Sequence, residues 1–196
     1  MKPKVMYVLR QYPQISETYV QTEIDAVSDE FEVIVIAIQD SKKNGNTPYR
    51  NHNPYLALND INQIGNAIEM FKPTVLHTHW LLSLPVVHAL AKHFELPFTV
   101  RAHSFDTIPS EGPRLAEWRQ TAPKVIPRAV NDPLCLGVLA FPFSRPYLRD
   151  HGADLNKVID CFPCADFNRF YNREPNGRGI MNIGACIPKK RMEEFL

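Results

Sequence analysis

The chain has 196 residues, of which 44% are hydrophobic and 22% are charged. This balance excludes disordered and collagen-like proteins, and a chain of this length buries about 70% of the surface that its unfolded form exposes. Lys and Arg number 22 against 21 Asp and Glu, and neither sign is gathered into a block. We therefore expect no nucleic-acid partner, and any anionic ligand must be held by a local site.

The sequence predicts a cytoplasmic protein. Its first apolar run, residues 5–9, is too short for the core of a signal peptide, and no stretch of about 18 apolar residues follows. The four cysteines are expected to be reduced thiols because no secretory signal accompanies them.

Short apolar runs alternate with helical spacing along the chain, which is typical of βαβ units. The predicted fold class is α/β, a Rossmann-like and mostly parallel sheet with helices on both faces. Strands are predicted at residues 4–10, 31–39, 74–78, 97–102, 134–141 and 157–162. Helices are predicted at residues 16–28, 60–71, 83–94, 114–121 and 142–151, with residues 41–54 and 103–113 as loops and no assignment for 122–133.

The last part of the chain predicts a domain boundary. Residues 1–171 form the predicted N-terminal domain, and the polar segment 172–179 is a linker that contains Pro and Gly. Residues 180–196 begin a new strand and helix that cannot bury their own apolar face. We therefore expect a second domain that continues beyond Leu196.

Ligands of open α/β sheets bind beyond the carboxyl ends of the strands, so the residues that follow each strand are the candidates. After the first strand, Ser16 and Thr18 stand at a predicted helix N-terminus, which suits an anion or a sugar hydroxyl. The simpler interpretation is a capping serine. A Gly-rich phosphate loop is missing from this segment, which argues against a dinucleotide site.

Histidines follow the next strand. His77 and His79 share one face of a strand, a spacing found in metal pairs and in hydrogen-bonded polar clusters. A metal-dependent hydrolase would need His103 as its third ligand. Because the sequence places no carboxylate near this pair, we expect structural or substrate-binding histidines and no metal.

Two further strand ends carry charged residues. Arg101, His103 and Asp106 lie within six residues, where they could position a hydroxyl or bind a leaving group. The alternative is a histidine satisfied by the backbone and an aspartate in a turn. Lys190 lies in a basic turn before the last predicted helix, which is either solvated or a phosphate site.

Taken in order, these segments resemble the N-terminal domain of retaining glycosyltransferases of family 4, which have the two-domain GT-B fold. The opening YPQISETYV is similar to the "FP..SETF" start of members that make capsular and exopolysaccharides. The segments PTVLHTHW and VRAHSFD are similar to the family's "pDvvHaHw" and "t.Hg.D" elements. Further similarity covers residues 143–148 and 157–170.

The resemblance implies transfer of a sugar, with retention and without a metal or other cofactor, from a nucleotide diphosphate. The acceptor would be a saccharide or a lipid-linked saccharide in surface polysaccharide synthesis. Catalytic His103 would lie beside the transferred sugar, with Ser16, Glu17 and Thr18 near donor phosphate or acceptor. Lys190 would bind the donor diphosphate, and His79, Arg101 and Asp106 complete the predicted substrate contacts.

The sequence departs from the family at two positions. Ala185 stands where the family has an arginine, and Cys164 replaces a glycine. The carboxylate pair that holds the donor in this family would lie beyond Leu196, so we expect this chain alone to be inactive. Contact with the inner membrane face is expected if the acceptor is lipid-linked, and the alternative function is a non-catalytic Rossmann-like binding module.

Overall fold

The computed structural model describes residues 2–14, 17–40, 53–107 and 116–162, all within one compact unit, Met1–Ala165. The strands are β1 (Lys4–Tyr12), β2 (Glu32–Asp40), β3 (Leu56–Ala57), β4 (Val75–His79), β5 (Phe98–Arg101), β6 (Cys135–Ala140) and β7 (Val158–Asp160). The helices are α1 (Thr18–Ser28), α2 (Ile61–Phe71), α3 (Leu84–Phe94), α4 (Ser104–Thr107), α5 (Ala116–Val130) and α6 (Arg145–Asp150).

The strands form one seven-stranded sheet in the order β3-β2-β1-β4-β5-β6-β7. Every pair of neighbours is parallel. The chain builds outward from β1 in one direction and then returns to build from β4 in the other, so the order reverses between β1 and β4. The fold is an α/β Rossmann-like sheet, as predicted, and the gap beyond β1 and β4 is where such sheets bind ligands.

Alternating residues of β1 divide the core between the two faces of the sheet. Met6 and Val8 belong to the larger cluster, which includes buried residues of α2, α3 and α5. Tyr7 and its neighbours on the opposite face belong to a smaller cluster with Val20 and Ile24 of α1. Helices therefore cover both faces, with α1 on one side and α2, α3 and α5 on the other.

Three elements differ from the sequence-based expectation, and one of them is the four-residue helix α4, which lies inside the predicted loop 103–113. The two-residue strand β3 was not predicted, because Leu56 and Ala57 are both exposed and give no apolar pattern. Helix α5 runs for 15 residues through Pro123 and Pro127, whereas the prediction ended it at residue 121. Its buried residues recur every three or four positions and pack into the larger core cluster: Trp118, Ala122, Ile126, Ala129 and Val130.

Helix α1 begins later than predicted, with Glu17 rather than Ser16 as its N-cap and with no capping side-chain hydrogen bond. At α2 the N-cap is Asp60, whose carboxylate accepts a hydrogen bond from Asn62 N. Ser16, most of the predicted loop 41–54, the linker 172–179 and the segment 180–196 lie outside the described residues. Within the described residues, none of the helices has the length and apolarity needed to cross a bilayer.

A candidate ligand cleft backed by a buried charged network

An open cleft of about 860 Å³ lies at the carboxyl ends of the strands. The end of β1, the segment after it and the start of α1 provide one wall, and the segments after β4, β5 and β6 provide the other. Its lining residues are Arg10, Gln11, Gln14, Glu17, Tyr19, Trp80, Leu82, His103, Ser104, Phe105 and Phe141. The cleft is therefore at the reversal of strand order, and its volume is in the range of small-molecule sites.

A buried carboxylate stands behind this cleft. Glu23 of α1 is 6% exposed, and its Oε2 lies 2.6 Å from Nε of Arg101. Its Oε1 lies 3.2 Å from Nε2 of His77 and 3.3 Å from Nε2 of His79. Burial alone would raise the pKa of Glu23, but hydrogen bonds from the two histidines hold it well below its usual range.

The pleat of the sheet explains why these side chains meet. His77 and His79 are two residues apart on β4, so both project toward the α1 side. They pair in register with Thr99 and Arg101 of β5, which project to the same side. Glu23 lies on the buried stripe of α1, between Val20 and Ile24, and therefore points at this part of the sheet.

The network reaches the cleft through an imidazole pair. Nδ1 of His79 lies 3.0 Å from Nε2 of His103, and the two rings are within 23° of parallel. His79 has no exposed surface, whereas His103 lines the cleft. Burial lowers the pKa of His79 to about 4 and that of His103 to about 3, so both imidazoles are neutral at pH 7.

Asp106 ties together the segments that follow β4 and β5. Its carboxylate accepts hydrogen bonds from the backbone N–H of Leu81 and from that of His103, the latter at 2.8 Å. Burial raises the pKa of Asp106 to about 7, although these two donors favour the charged form. The indole of Trp118 also donates to the Asp106 carbonyl at 3.0 Å, which attaches α5 to the same corner.

Trp80 has a backbone conformation that is unusual for a bulky residue. Its φ is 66°, a region that favours glycine, at a cost of order 1–3 kcal/mol. The conformation is held by its N–H, which donates to the Arg101 carbonyl at 2.8 Å. The result is an indole in the cleft wall, with its ring 5.0 Å from that of His103.

The structure distributes the predicted site residues over three environments. His103 and Glu17 line the cleft, and burial raises the pKa of Glu17 to about 7. His79 and Arg101 lie behind the cleft wall in the network, and Asp106 is buried in the short helix α4. Thr18 is exposed at the start of α1 and is not part of the lining, whereas Ser16 and Lys190 lie outside the described residues.

Glu23 is the central residue that the sequence analysis did not select. Its signal was present, because Glu23 interrupts the apolar stripe of α1 formed by Tyr19, Val20, Ile24 and Val27. A carboxylate on a buried helix face needs a partner. The Tyr7 hydroxyl donates to Glu23 Oε1 at 3.4 Å, but the histidine and arginine partners are 54 or more positions away in the chain, so sequence spacing could not identify them.

The same residues contain the donor types of a metal site. One ligand atom each from Glu23, His77 and His79 lies within 4.8 Å of the others. The third donor is thus Glu23 and not His103, whose Nε2 is engaged with His79. The Arg101 guanidinium already supplies a cation to Glu23 at 2.6 Å, and its charge opposes a metal ion in this position.

No protein-family model and no curated protein matches this chain. Among solved structures, UDP-N-acetylglucosamine 2-epimerase from Rickettsia bellii is similar with a TM-score of 0.55 and 13% identity, over 81% of this chain and 44% of that one. Anabaena Alr3699/HepE in complex with UDP-glucose is similar with a TM-score of 0.59 and 14% identity, over 88% of this chain and 46% of that one. Both have GT-B-type folds, and this chain spans less than half the length of either. The likeness shows the fold.

Proposed function

We propose that this chain is the acceptor-side domain of a glycosyltransferase that uses a nucleotide-diphosphate sugar. The reaction would transfer the sugar, with retention and without a metal, to a saccharide or lipid-linked saccharide. We further propose that it takes place in the cytoplasm, or at the inner membrane face where the acceptor is lipid-linked. The surface polysaccharides suggested by the sequence resemblance are the proposed product class.

The observation that carries this proposal is the cleft at the strand-order reversal, with His103 and Trp80 in its wall. An aromatic ring and uncharged polar groups suit a sugar, because they offer a stacking surface and hydrogen-bond partners. The two similar structures add support, since one is named as a UDP-sugar epimerase and the other holds UDP-glucose.

Within this proposal, His103 contacts the sugar and Trp80 packs against it. Glu17 and Arg10 form the opposite wall with Gln11 and Gln14. We assign no binding of the nucleotide to this wall, because the proposed diphosphate contact is Lys190. Since Lys190 is a single contact, we expect this chain to bind a sugar weakly and to gain little from an attached nucleotide.

Tryptophan fluorescence tests the proposal directly. The chain has two tryptophans, Trp80 in the cleft and Trp118 in the core, at 5% exposure. Millimolar glucose or UDP-glucose should change the emission, and UDP alone should not. The change should vanish in Trp80→Phe and persist in Trp118→Phe, which is the matched control.

Two outcomes would contradict parts of the proposal. Weak sugar binding corresponds to a Kd of order 1 mM. If neither the sugar nor the sugar nucleotide changes the emission of Trp80 at about 20-fold that concentration, the cleft is not a sugar site. Submillimolar binding of UDP-glucose would instead place the donor site in this chain and overturn the acceptor-side assignment.

Two other functions make different predictions. A non-catalytic binding module would bind its ligand in the same cleft. In that case His103 has no role in sugar transfer, and His103→Ala would leave the turnover of any enzyme that contains this domain unchanged. A metal hydrolase is favoured by the donor set of Glu23, His77 and His79, and it requires stoichiometric metal in the purified protein. The ion pair between Arg101 and Glu23 counts against the metal hydrolase.

A further inference from the structure

A continuous path of one ion pair and two hydrogen bonds joins Arg101 to the cleft. Arg101 Nε meets Glu23 Oε2 at 2.6 Å, and Glu23 Oε1 meets His79 Nε2 at 3.3 Å. His79 Nδ1 then meets His103 Nε2 at 3.0 Å. Each member of the path is at most 7% exposed, so water does not compete for these contacts.

The chemistry at one end of this path determines the proton positions at the other. Arg101 can only donate hydrogen bonds, and the ionised Glu23 carboxylate can only accept them. His79 must therefore donate from Nε2 to Glu23. A neutral imidazole carries one N–H, so Nδ1 of His79 is a lone pair and can only accept.

His79 is held neutral by its surroundings. It has no exposed surface, and the Arg101 cation shares its carboxylate partner, so a second buried positive charge would be costly. Burial accordingly lowers the pKa of His79 to about 4. The remaining hydrogen bond, between the two imidazoles, must then be donated by Nε2 of His103.

We propose that Glu23 and His79 are positioning residues that hold His103 in the tautomer with its proton on Nε2 and a lone pair on Nδ1. Within the described residues, Nδ1 of His103 has no hydrogen-bond partner. Among the described residues, the fully buried side-chain polar atoms without a hydrogen-bond partner are His77 Nε2 and Arg101 Nε. Nδ1 of His103 is not one of them and is therefore not fully buried. Nδ1 is therefore the nitrogen that a ligand in the cleft can reach.

This assignment defines the ligand group that His103 accepts, a step that rests on the proposed function. A lone pair attracts a hydrogen-bond donor such as a sugar hydroxyl and repels an anionic phosphate oxygen. His103 thus selects the sugar part of a ligand and excludes its diphosphate. The tautomer itself is independent of the ligand and can be measured in the free protein.

Nitrogen NMR of protein labelled with ¹⁵N-histidine tests the tautomer at pH 8. The spectrum should show His103 protonated at Nε2 and unprotonated at Nδ1. His151 is an internal control with the opposite expectation, because its Nδ1 lies 2.8 Å from the Tyr147 carbonyl, which can only accept. Assignment uses His103→Gln and His151→Gln.

The variant Glu23→Gln should invert the tautomer of His103 through the intervening imidazole of His79. Its single amide oxygen is expected to face the donor-only Arg101, which turns the NH₂ group toward His79 Nε2. His79 would then carry its proton on Nδ1 and donate to His103 Nε2, so the proton of His103 moves to Nδ1. The matched control, Glu30→Gln in the exposed turn after α1, should leave all histidine tautomers unchanged.

The wild-type spectrum decides the matter even if Glu23→Gln fails to fold. A proton on Nδ1 of His103, or a doubly protonated His79 at pH 8, would overturn the proposal. A folded Glu23→Gln with the His103 tautomer unchanged would show that the path does not transmit. Because the experiment contains no sugar, its failure is separate from failure of the fluorescence titration.

Discussion

The ion pair between Glu23 and Arg101 offers the sharpest test of the network's energetics. Both side chains are almost fully buried, at 8% and 4% exposure, and their atoms meet at 2.6 Å. Replacing one partner leaves the other charge uncompensated, which typically costs 3–5 kcal/mol. We expect about 4 kcal/mol for Glu23→Leu, and about 3 kcal/mol for Arg101→Leu because His77 and His79 still contact the carboxylate.

The double variant should be more stable than the single losses suggest, since it buries no unpaired charge of this pair. We expect a coupling energy of about 2–3 kcal/mol between the two positions. Urea unfolding measures it, and with a slope near 2 kcal/mol per molar the Glu23→Leu midpoint should fall by about 2 M.

The exposed pair Arg149–Asp150 is the matched control, because its side chains are 63% and 61% exposed. Asp150→Asn should change the free energy of unfolding by no more than about 0.5 kcal/mol. Losses below about 1 kcal/mol at both buried positions, or additivity within about 0.5 kcal/mol, would refute the argument that this network is a desolvated, mutually dependent unit.

Three further predictions concern the hydrogen bonds of Asp106, the pKa of His103 and the metal content of the protein. Asp106→Ala should lower the free energy of unfolding by about 2–4 kcal/mol, because the N–H groups of Leu81 and His103 lose their acceptor, and Asp106→Asn by about half; urea unfolding that finds Asp106→Ala neutral would contradict this. Since folding lowers the pKa of His103 to about 3, the unfolded chain binds more protons between that value and the ordinary 6.5. The contribution of His103 to the free energy of unfolding is then present above pH 6.5 and lost as pH falls toward 3, at up to about 1.4 kcal/mol per pH unit. Unfolding measured at pH 5, 6 and 7 should show that this free energy depends less steeply on pH in His103→Gln than in the wild type. Metal analysis of protein purified without chelators should find far less than one zinc per chain, because Arg101 neutralises Glu23; a stoichiometric value would favour the metal hydrolase.

The sequence was sufficient for the features that depend on local periodicity. Apolar runs and helical spacing predicted the parallel sheet, and the two-residue spacing of His77 and His79 placed both on one face of a strand. The order of the elements also located the cleft, because all carboxyl ends of a parallel sheet meet at one edge. His103 was selected on this ground, and it does line the cleft.

The features that the sequence analysis did not anticipate depend on contacts between distant residues. Proline was treated as a helix end, whereas in α5 the packing of Trp118 and Ile126 keeps the helix intact through Pro123 and Pro127. Glu23 looked like a break in an apolar stripe because its histidine and arginine partners lie on β4 and β5. His79 and Arg101 were predicted to bind substrate, and only the fold reveals that they lie behind the wall.

The position of Glu23 also has a consequence for how the protein folds. The unit β1-α1-β2 is local in sequence, whereas the contact from Glu23 to His79 spans 56 positions. The carboxylate must remain hydrated until β4 and β5 have joined β1, so its desolvation belongs to the late part of folding. Substitutions at Glu23 should therefore accelerate unfolding and leave the refolding rate almost unchanged, with φ-values near zero.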